Sequence, residues 1–322
     1  MIGSSARRNI SPSWLLALLA ATSVGCSISA EDLPAQDAEG TTVAFVKIRQ
    51  VQTLEGATRG DAIAGFLRVP QGGDADQLLA LSGLSESLPQ VGECADFSAP
   101  DPDALGPTSQ PASAELLEAQ SVELLTGEGV HSLVPHAFPT IADLLRGVVY
   151  TSRDREASTL PPQQLYEVSG RNVSLAQGEF AQLQISEVSP GLPQAVRVNG
   201  AALEAVTVVP VSAVLDIAWE AGAPQDLVTV AIDAGELSTV CSFSDSEGFG
   251  SVPLATPGNQ PLPVGTSALI SVHRVRHIEE AGQDLAMVGL VFDFALEGTL
   301  ALVGSSPDVL PEPAQFEQLD AR

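Results

Sequence analysis

The stretch "DLAMVGLVFDFALEGTLALV" (Asp284–Val303) decides the fold class. In an extended chain Val288, Leu290, Phe292, Phe294 and Leu296 share one side, and Asp293 and Glu297 share the other. Successive side chains of a strand point to opposite faces, so this alternation reads as a long strand with one buried face. Just upstream, "SALISVHRVRHI" (Ser267–Ile278) also alternates. Before it come "LSTVCSFSD" (Leu237–Asp245), with Thr239, Cys241 and Phe243 together, and "DLVTVAID" (Asp226–Asp233), with Val228, Val230 and Ile232 together. "AVLDIAWEAG" (Ala213–Gly222) places Leu215, Ile217 and Trp219 on one side and Asp216 and Glu220 on the other.

The pattern extends toward the N-terminus. "TVAFVKIRQV" (Thr42–Val51) and "DAIAGFLRVP" (Asp61–Pro70) read as strands joined by a glycine-containing turn. Shorter strands are expected at Ser121–Leu125, Gly147–Thr151, Gln164–Val168 and Phe180–Ile185, with Pro and Gly punctuating between them. One short helix is expected at "DADQLLALSGL" (Asp74–Leu84), capped by Asp74. Short strands separated by turn residues indicate an all-β chain of one or two β-sandwich, Ig-like modules. The expected division is a signal peptide (1–25), an acidic tether (26–42), a β-rich module (43–185), a second sandwich (190–304) and a disordered tail (305–322). A single larger sandwich is the alternative.

Composition narrows the function classes. The chain of 322 residues carries 40 acids against 14 bases, a net charge of −26. Lys47 is the only lysine, and no Lys or Arg lies between Arg197 and Arg274. Such a surface repels phosphate backbones, which argues against nucleic-acid binding. Aromatic residues are 4% of the chain, so there are few stacking platforms for a sugar.

The N-terminus specifies an address. Arg7 and Arg8 precede an apolar run from Trp14 to Ala21, too short to span a bilayer and flanked as in a secretory signal. "SVGC" (Ser23–Cys26) resembles a bacterial lipobox, whose cysteine is lipidated and becomes the new N-terminus; Ser23 stands where Leu is usual. The resemblance implies lipidation of Cys26 and a membrane partner reached through the anchor. "ARRNI" (Ala6–Ile10) has only a faint twin-arginine character. Ser27 fits the outer-membrane sorting pattern, so the expected location is the outer membrane, facing the periplasm or the surface. Cleavage before Cys26 removes Arg7 and Arg8 and no acid, taking the net charge from −26 to −28.

Further resemblance lies in "WEAG" (Trp219–Gly222), "VTVAI", "CSFSDSEGFGSVP" (Cys241–Pro253), "LPVG" (Leu262–Gly265) and "RVR" (Arg274–Arg276), with "FPTIADLLRGVVYT" and "QLYEVSG" before them. Together these resemble uncharacterised exported, lipid-anchored proteins of myxobacterial type that carry an Ig-like module. The resemblance implies that fold and no particular activity. No cysteine lies about a dozen residues before Trp219, so the inter-sheet disulfide of antibody domains is not expected.

With Cys26 lipidated, Cys94 and Cys241 remain, and an even pair in an exported chain suggests a disulfide between them. His273 and His277 are four apart, but on a strand they would lie about 13 Å apart, too far for one zinc ion. His131 and His136 lack a nameable third ligand. No metal site or cofactor is expected. Asp245 and Glu247, in the turn "DSEG", are weak candidates for Ca²⁺, against an ordinary Asx turn. The acid pairs Asp74/Asp76 and Asp101/Asp103 lack the EF-hand layout as well. No G-x-S-x-G, H-E-x-x-H, phosphate-loop or dinucleotide pattern occurs, and "GLSES" (Gly83–Ser87) fails at its last position.

These observations predict a non-enzymatic envelope lipoprotein with a surface, scaffold or binding role, toward a protein or glycan. A Ca²⁺-stabilised adhesin module is one alternative. Another is a secreted hydrolase whose Ser, His and Asp converge only in three dimensions, since triads are defined by geometry rather than by sequence order.

Overall fold

The computed structural model describes residues 40–71, 73, 75, 78–79, 84, 88–96, 114–141, 145–152, 160–175, 178–235, 237–256 and 260–304. Cys26, the signal, most of the tether, the 98–113 linker and the tail lie outside them. The described strands belong to one compact unit, Glu39–Arg322.

The chain is all-β. β1 (Thr41–Thr53) and β2 (Thr58–Val69) form an opening hairpin. β3 (Cys94–Asp96), β4 (Ala114–Leu116), β5 (Ser121–Thr126), β6 (Gly129–Ile141), β7 (Leu145–Thr151), β8 (Leu165–Ser174) and β9 (Phe180–Val188) follow. Then come β10 (Arg197–Val198), β11 (Ala201–Ala202), β12 (Val206–Pro210), β13 (Val214–Ala218), β14 (Leu227–Asp233), β15 (Ser238–Ser244) and β16 (Phe249–Pro253). β17 (Ala255–Thr256), β18 (Gln260–Pro261), β19 (Ser267–Glu280) and β20 (Met287–Val303) complete the set. Ala75, Leu78 and Leu79 are helical, within the short helix expected there.

One 14-stranded sheet runs β3-β15-β14-β19-β20-β1-β2-β4-β7-β6-β5-β8-β9, with β12 also on β20. The 17-residue β20 is its spine. It pairs antiparallel with β19 and parallel with β1, where Arg49 faces Asp293. A parallel pair needs a long connection, and here nearly the whole chain supplies it.

The even-numbered face of β20 serves two cores in turn. Leu290, Phe292 and Phe294 pack with Ile48, Phe66, Tyr166 and Val168. Strands from the middle of the ladder path, β20, β1 and β2, share this core with β5, β8 and β9 at one end of it, so that end of the sheet folds back over the middle. Tyr166 is wholly buried 5.4 Å from the Phe292 ring, and its hydroxyl donates to the Pro161 carbonyl at 2.8 Å. Burial pushes that phenol well above its ordinary pKa. Farther along, Leu300 and Leu302 pack with Val228, Val230, Val272, Leu215 and Ile217. The last two belong to a four-stranded sheet, β11-β10-β13-β16, laid against the large one as a sandwich. The first core draws on residues from both sides of the expected 185–190 boundary, Ile48 to Ile185 and Leu285 to Phe294, while the second is built mainly from residues after it. The ladder between β1 and β20 nevertheless runs through both.

On the odd-numbered face, Val43, Phe45, Leu67, Val69, Leu78, Leu79 and Leu84 form a third apolar cluster. Farther along, this face turns polar.

Candidate functional site

Ser271 and His273 are two residues apart on β19 and therefore point to the same face. Across the ladder Ala295 is opposite His273 and Asp293 is opposite Val275, which makes Asp293 the diagonal neighbour of His273. Diagonal neighbours on a sheet lie within reach of long side chains. His273 Nδ1 is 2.6 Å from Asp293 Oδ1, and His273 Nε2 is 3.1 Å from Ser271 Oγ. All three are buried: Ser271 is 9% exposed, His273 8% and Asp293 2%. In the neutral imidazole, an Nδ1–H donated to the carboxylate leaves the Nε2 lone pair to accept from the Ser271 hydroxyl.

Cations surround the carboxylate. Arg49 Nε lies 3.4 Å and Lys47 Nζ 3.9 Å from Asp293 Oδ2, neither in hydrogen-bonding geometry with it. Burial alone would raise the Asp293 pKa. The charge and hydrogen bond of His273, then Lys47 and Arg49, outweigh it and hold the carboxyl below its ordinary value. Arg49 also stands opposite Asp61 on β2, so charges of both signs alternate across the strands.

Cavities flank these residues on both sides. One of about 270 Å³ is lined by Arg49, Thr229, Ala231, Val240, Leu269, Ser271 and His273, among others. The other, about 100 Å³ and mostly apolar, is lined by Phe45, Lys47, Leu79, Leu84, Val275, Val291 and Asp293, among others. Leu88 contributes to both. The segment after Leu88 is held to the sheet edge: Gly92 N–H donates to the Ser242 carbonyl at 2.7 Å, and Ser242 N–H to the Glu93 carbonyl at 3.1 Å. Cys94 is bonded to Cys241 in the cross-strand position where β3 meets β15.

The even-numbered face of β19 holds a second buried charge cluster, between the two apolar cores. Arg274 Nη2 donates to Asp245 Oδ1 at 2.9 Å and to the Glu220 carbonyl at 2.7 Å, while Nη1 donates to the Leu192 carbonyl at 3.2 Å. Arg274 Nε is 2.8 Å from Asp245 Oδ2 but off the line of a hydrogen bond. Arg276 clamps Asp226 through two bonds, Nε to Oδ1 at 2.6 Å and Nη2 to Oδ2 at 2.9 Å. Asp226 leads the groups that raise the Arg276 pKa. Trp219 Nε1 donates to the Asp245 carbonyl at 3.1 Å. A Cβ on Gly222 would lie 1.9 Å from Asp245 Oδ2, so this approach requires glycine.

That cluster corrects the Ca²⁺ assignment. Asp245 is completely buried and its carboxylate is taken by Arg274, while Glu247 is exposed in the same turn. The charge the carboxylate needs is already supplied by a guanidinium. Among the described residues no group of three or more His, Cys, Asp or Glu is placed to hold a metal. His131 has Thr126 Oγ1 at 3.5 Å, and His277 lines the smaller cavity.

Ser271 lies in no catalytic sequence motif, because no fixed spacing joins it to Asp293. Two signals were present. "SVH" puts a serine and a histidine on one strand face, and Asp293 is a lone acid between Phe292 and Phe294.

No protein-family model and no curated protein matches the chain. Among solved structures it has a likeness to chicken CNTN1 FN1-FN3 domains, at 9% identity and a TM-score of 0.17, covering 78% of this chain and 65% of that one. A second likeness is to the zebrafish (Danio rerio) Fcho1 mu homology domain with bound Eps15 peptide, at 10% identity and a TM-score of 0.24, covering 81% of this chain and 97% of that one. At these scores neither bears on the site.

Proposed function

We propose that the chain is an exported, lipid-anchored protein of the bacterial cell envelope whose β-sandwich body serves a surface, scaffold or binding role. The observation that carries this reading is the cysteine pairing. Cys94 and Cys241 are bonded to each other, which fits an oxidising compartment and leaves Cys26, in its lipobox-like context, as the one cysteine outside the bond. Arg7, Arg8 and the apolar run to Ala21 support export. The resemblance to exported myxobacterial-type lipoproteins agrees, as does Ser27 with an outer-membrane destination. The ligand, on this reading, is a protein or a glycan met at the envelope. No helix among the described residues is long and apolar enough to cross a membrane. On this reading the anchor is the lipid on Cys26. Metabolic palmitate labelling tests it: the label enters the intact protein and vanishes in Cys26→Ser. An unlabelled intact protein sinks the anchor.

A second reading is favoured by one observation. The hydrogen-bonded Ser271, His273 and Asp293 beside a cavity are the arrangement a hydrolase uses to activate a serine. Turnover of an ester by the intact chain tests this reading in general.

A further inference from the structure

We infer that Ser271 is an activated nucleophile and that the cavity beside it takes a short-chain acyl ester, hydrolysed through an acyl-Ser271 intermediate. This rests on the hydrolase reading and is independent of the lipid anchor. Three features carry it.

The first is the direction of the hydrogen bonds. Asp293 binds the Nδ1 side of His273, fixing the ring, and Nε2 faces Ser271 Oγ at 3.1 Å. That is the order a general base requires. The second is access. Ser271 and His273 both line the cavity of about 270 Å³, whose apolar walls include Ala231, Val240 and Leu269. That size and lining suit a small acyl group. The third is charge. β19 lies between β14 and β20, so its backbone N–H groups are committed to the ladders and offer no oxyanion hole. Arg49 lines the same cavity, with its Nε 3.4 Å from Asp293 Oδ2 and its side chain 37% exposed. The guanidinium is the group that meets negative charge developing on a substrate oxygen. A single cation in place of two aligned N–H groups suits an ester, whose alkoxide leaves more readily than an amine.

The step balances without a co-reactant other than water. The Ser271 O–H proton passes to His273 Nε2 as Oγ bonds to the acyl carbon, and the carbonyl π pair moves onto oxygen beside Arg49. Collapse re-forms C=O and breaks the ester C–O bond, and the leaving oxygen takes the proton from His273 to depart as the alcohol. Water then gives a proton to His273 and attacks the acyl carbon. Collapse frees Ser271 Oγ, which recovers that proton, and the carboxylic acid leaves. Asp293 touches no substrate and acts as a positioning residue.

The test is labelling of the full chain with a fluorophosphonate probe, the modified residue being located by peptide mass spectrometry. The expected result is one adduct per folded chain, on Ser271, absent after heat denaturation and absent in Ser271→Ala. Asp293→Asn lowers the labelling rate by up to roughly ten-thousandfold, by analogy with loss of the orienting carboxylate elsewhere, and Asp293→Glu restores part of it. Turnover of p-nitrophenyl acetate is lost in Ser271→Ala, whose melting temperature stays that of the parent. An adduct on a different serine overturns the assignment of Ser271 while leaving the hydrolase reading standing. No adduct on any serine of the folded chain overturns both.

Discussion

β19 carries a buried charge cluster on each of its two faces, and the two are built on opposite principles. On the even-numbered face Arg274 and Arg276 turn their donors to Asp245, Asp226 and the carbonyls of Leu192, Glu220 and Val188. Buried charge there is matched by opposite charge and by backbone, so the cluster is closed and ties loops to sheet. On the odd-numbered face Asp293 is compensated by His273, Lys47 and Arg49, yet Ser271, His273 and Arg49 line a cavity. The lesson is that burial of charge does not itself mark function. What distinguishes the two faces is whether polar atoms remain beside a space that a ligand could enter.

The largest expected effect bears on what holds the cavity side together. Replacing both Cys94 and Cys241 by serine releases a cross-link that spans 147 residues of sequence. The chain-entropy model puts the loss at about 5 kcal/mol, read as a drop in denaturation midpoint against the oxidised parent. Because the bond secures the strand that follows the Leu88 segment, the odd face should lose hydrogen-exchange protection before the even one. Equal loss on both faces would remove the distinction between them.

Asp245→Ala attacks the closed cluster. Leaving Arg274 buried without its partner should cost about 3–5 kcal/mol in urea unfolding. A cost under about 1 kcal/mol would mean that the cluster is less closed than its hydrogen bonds indicate. Gly222→Ala strikes the same place sterically, with an expected loss of about 1–3 kcal/mol, since Asp245 must move.

The open cluster should reveal itself by pH. The Asp293 carboxyl is depressed in the folded state, so its contribution is fully present above the unfolded carboxylate value of about 4 and is lost as pH falls through the lower folded value. The stability advantage of the parent over Asp293→Asn should therefore be flat near neutrality and shrink below about pH 4, followed by thermal melts across pH. A difference that does not change with pH would exclude the proposed compensation. The smallest effect is expected from Ser271→Ala, within about 1 kcal/mol of the parent in unfolding free energy, because one hydroxyl hydrogen bond is worth about that much.

The legible part of the fold was its strands. Alternation placed β1, β2, β14, β15, β19 and β20 within a few residues, because an apolar side chain on every second position can be buried only if the chain is extended. The parallel pairing of β1 with β20 was not legible. A hydrogen-bonded ladder between residues some 240 apart leaves no local pattern, and either strand reads the same whichever neighbour it takes. Asp245 shows the same gap in the candidate site. Its turn was visible in "DSEG", but the guanidinium that occupies it comes from Arg274 on another strand.

By itself the sequence determined the all-β class, the acidic surface, the pairing available to Cys94 and Cys241 and the lipobox-like context of Cys26, since each depends on composition or on residues near one another in the chain. Only the tertiary structure decided that Arg274 and Ser271, three positions apart, serve opposite ends. An odd separation on a strand sends them to opposite faces, and what waits on each face is set by strands that the chain brings back from far away.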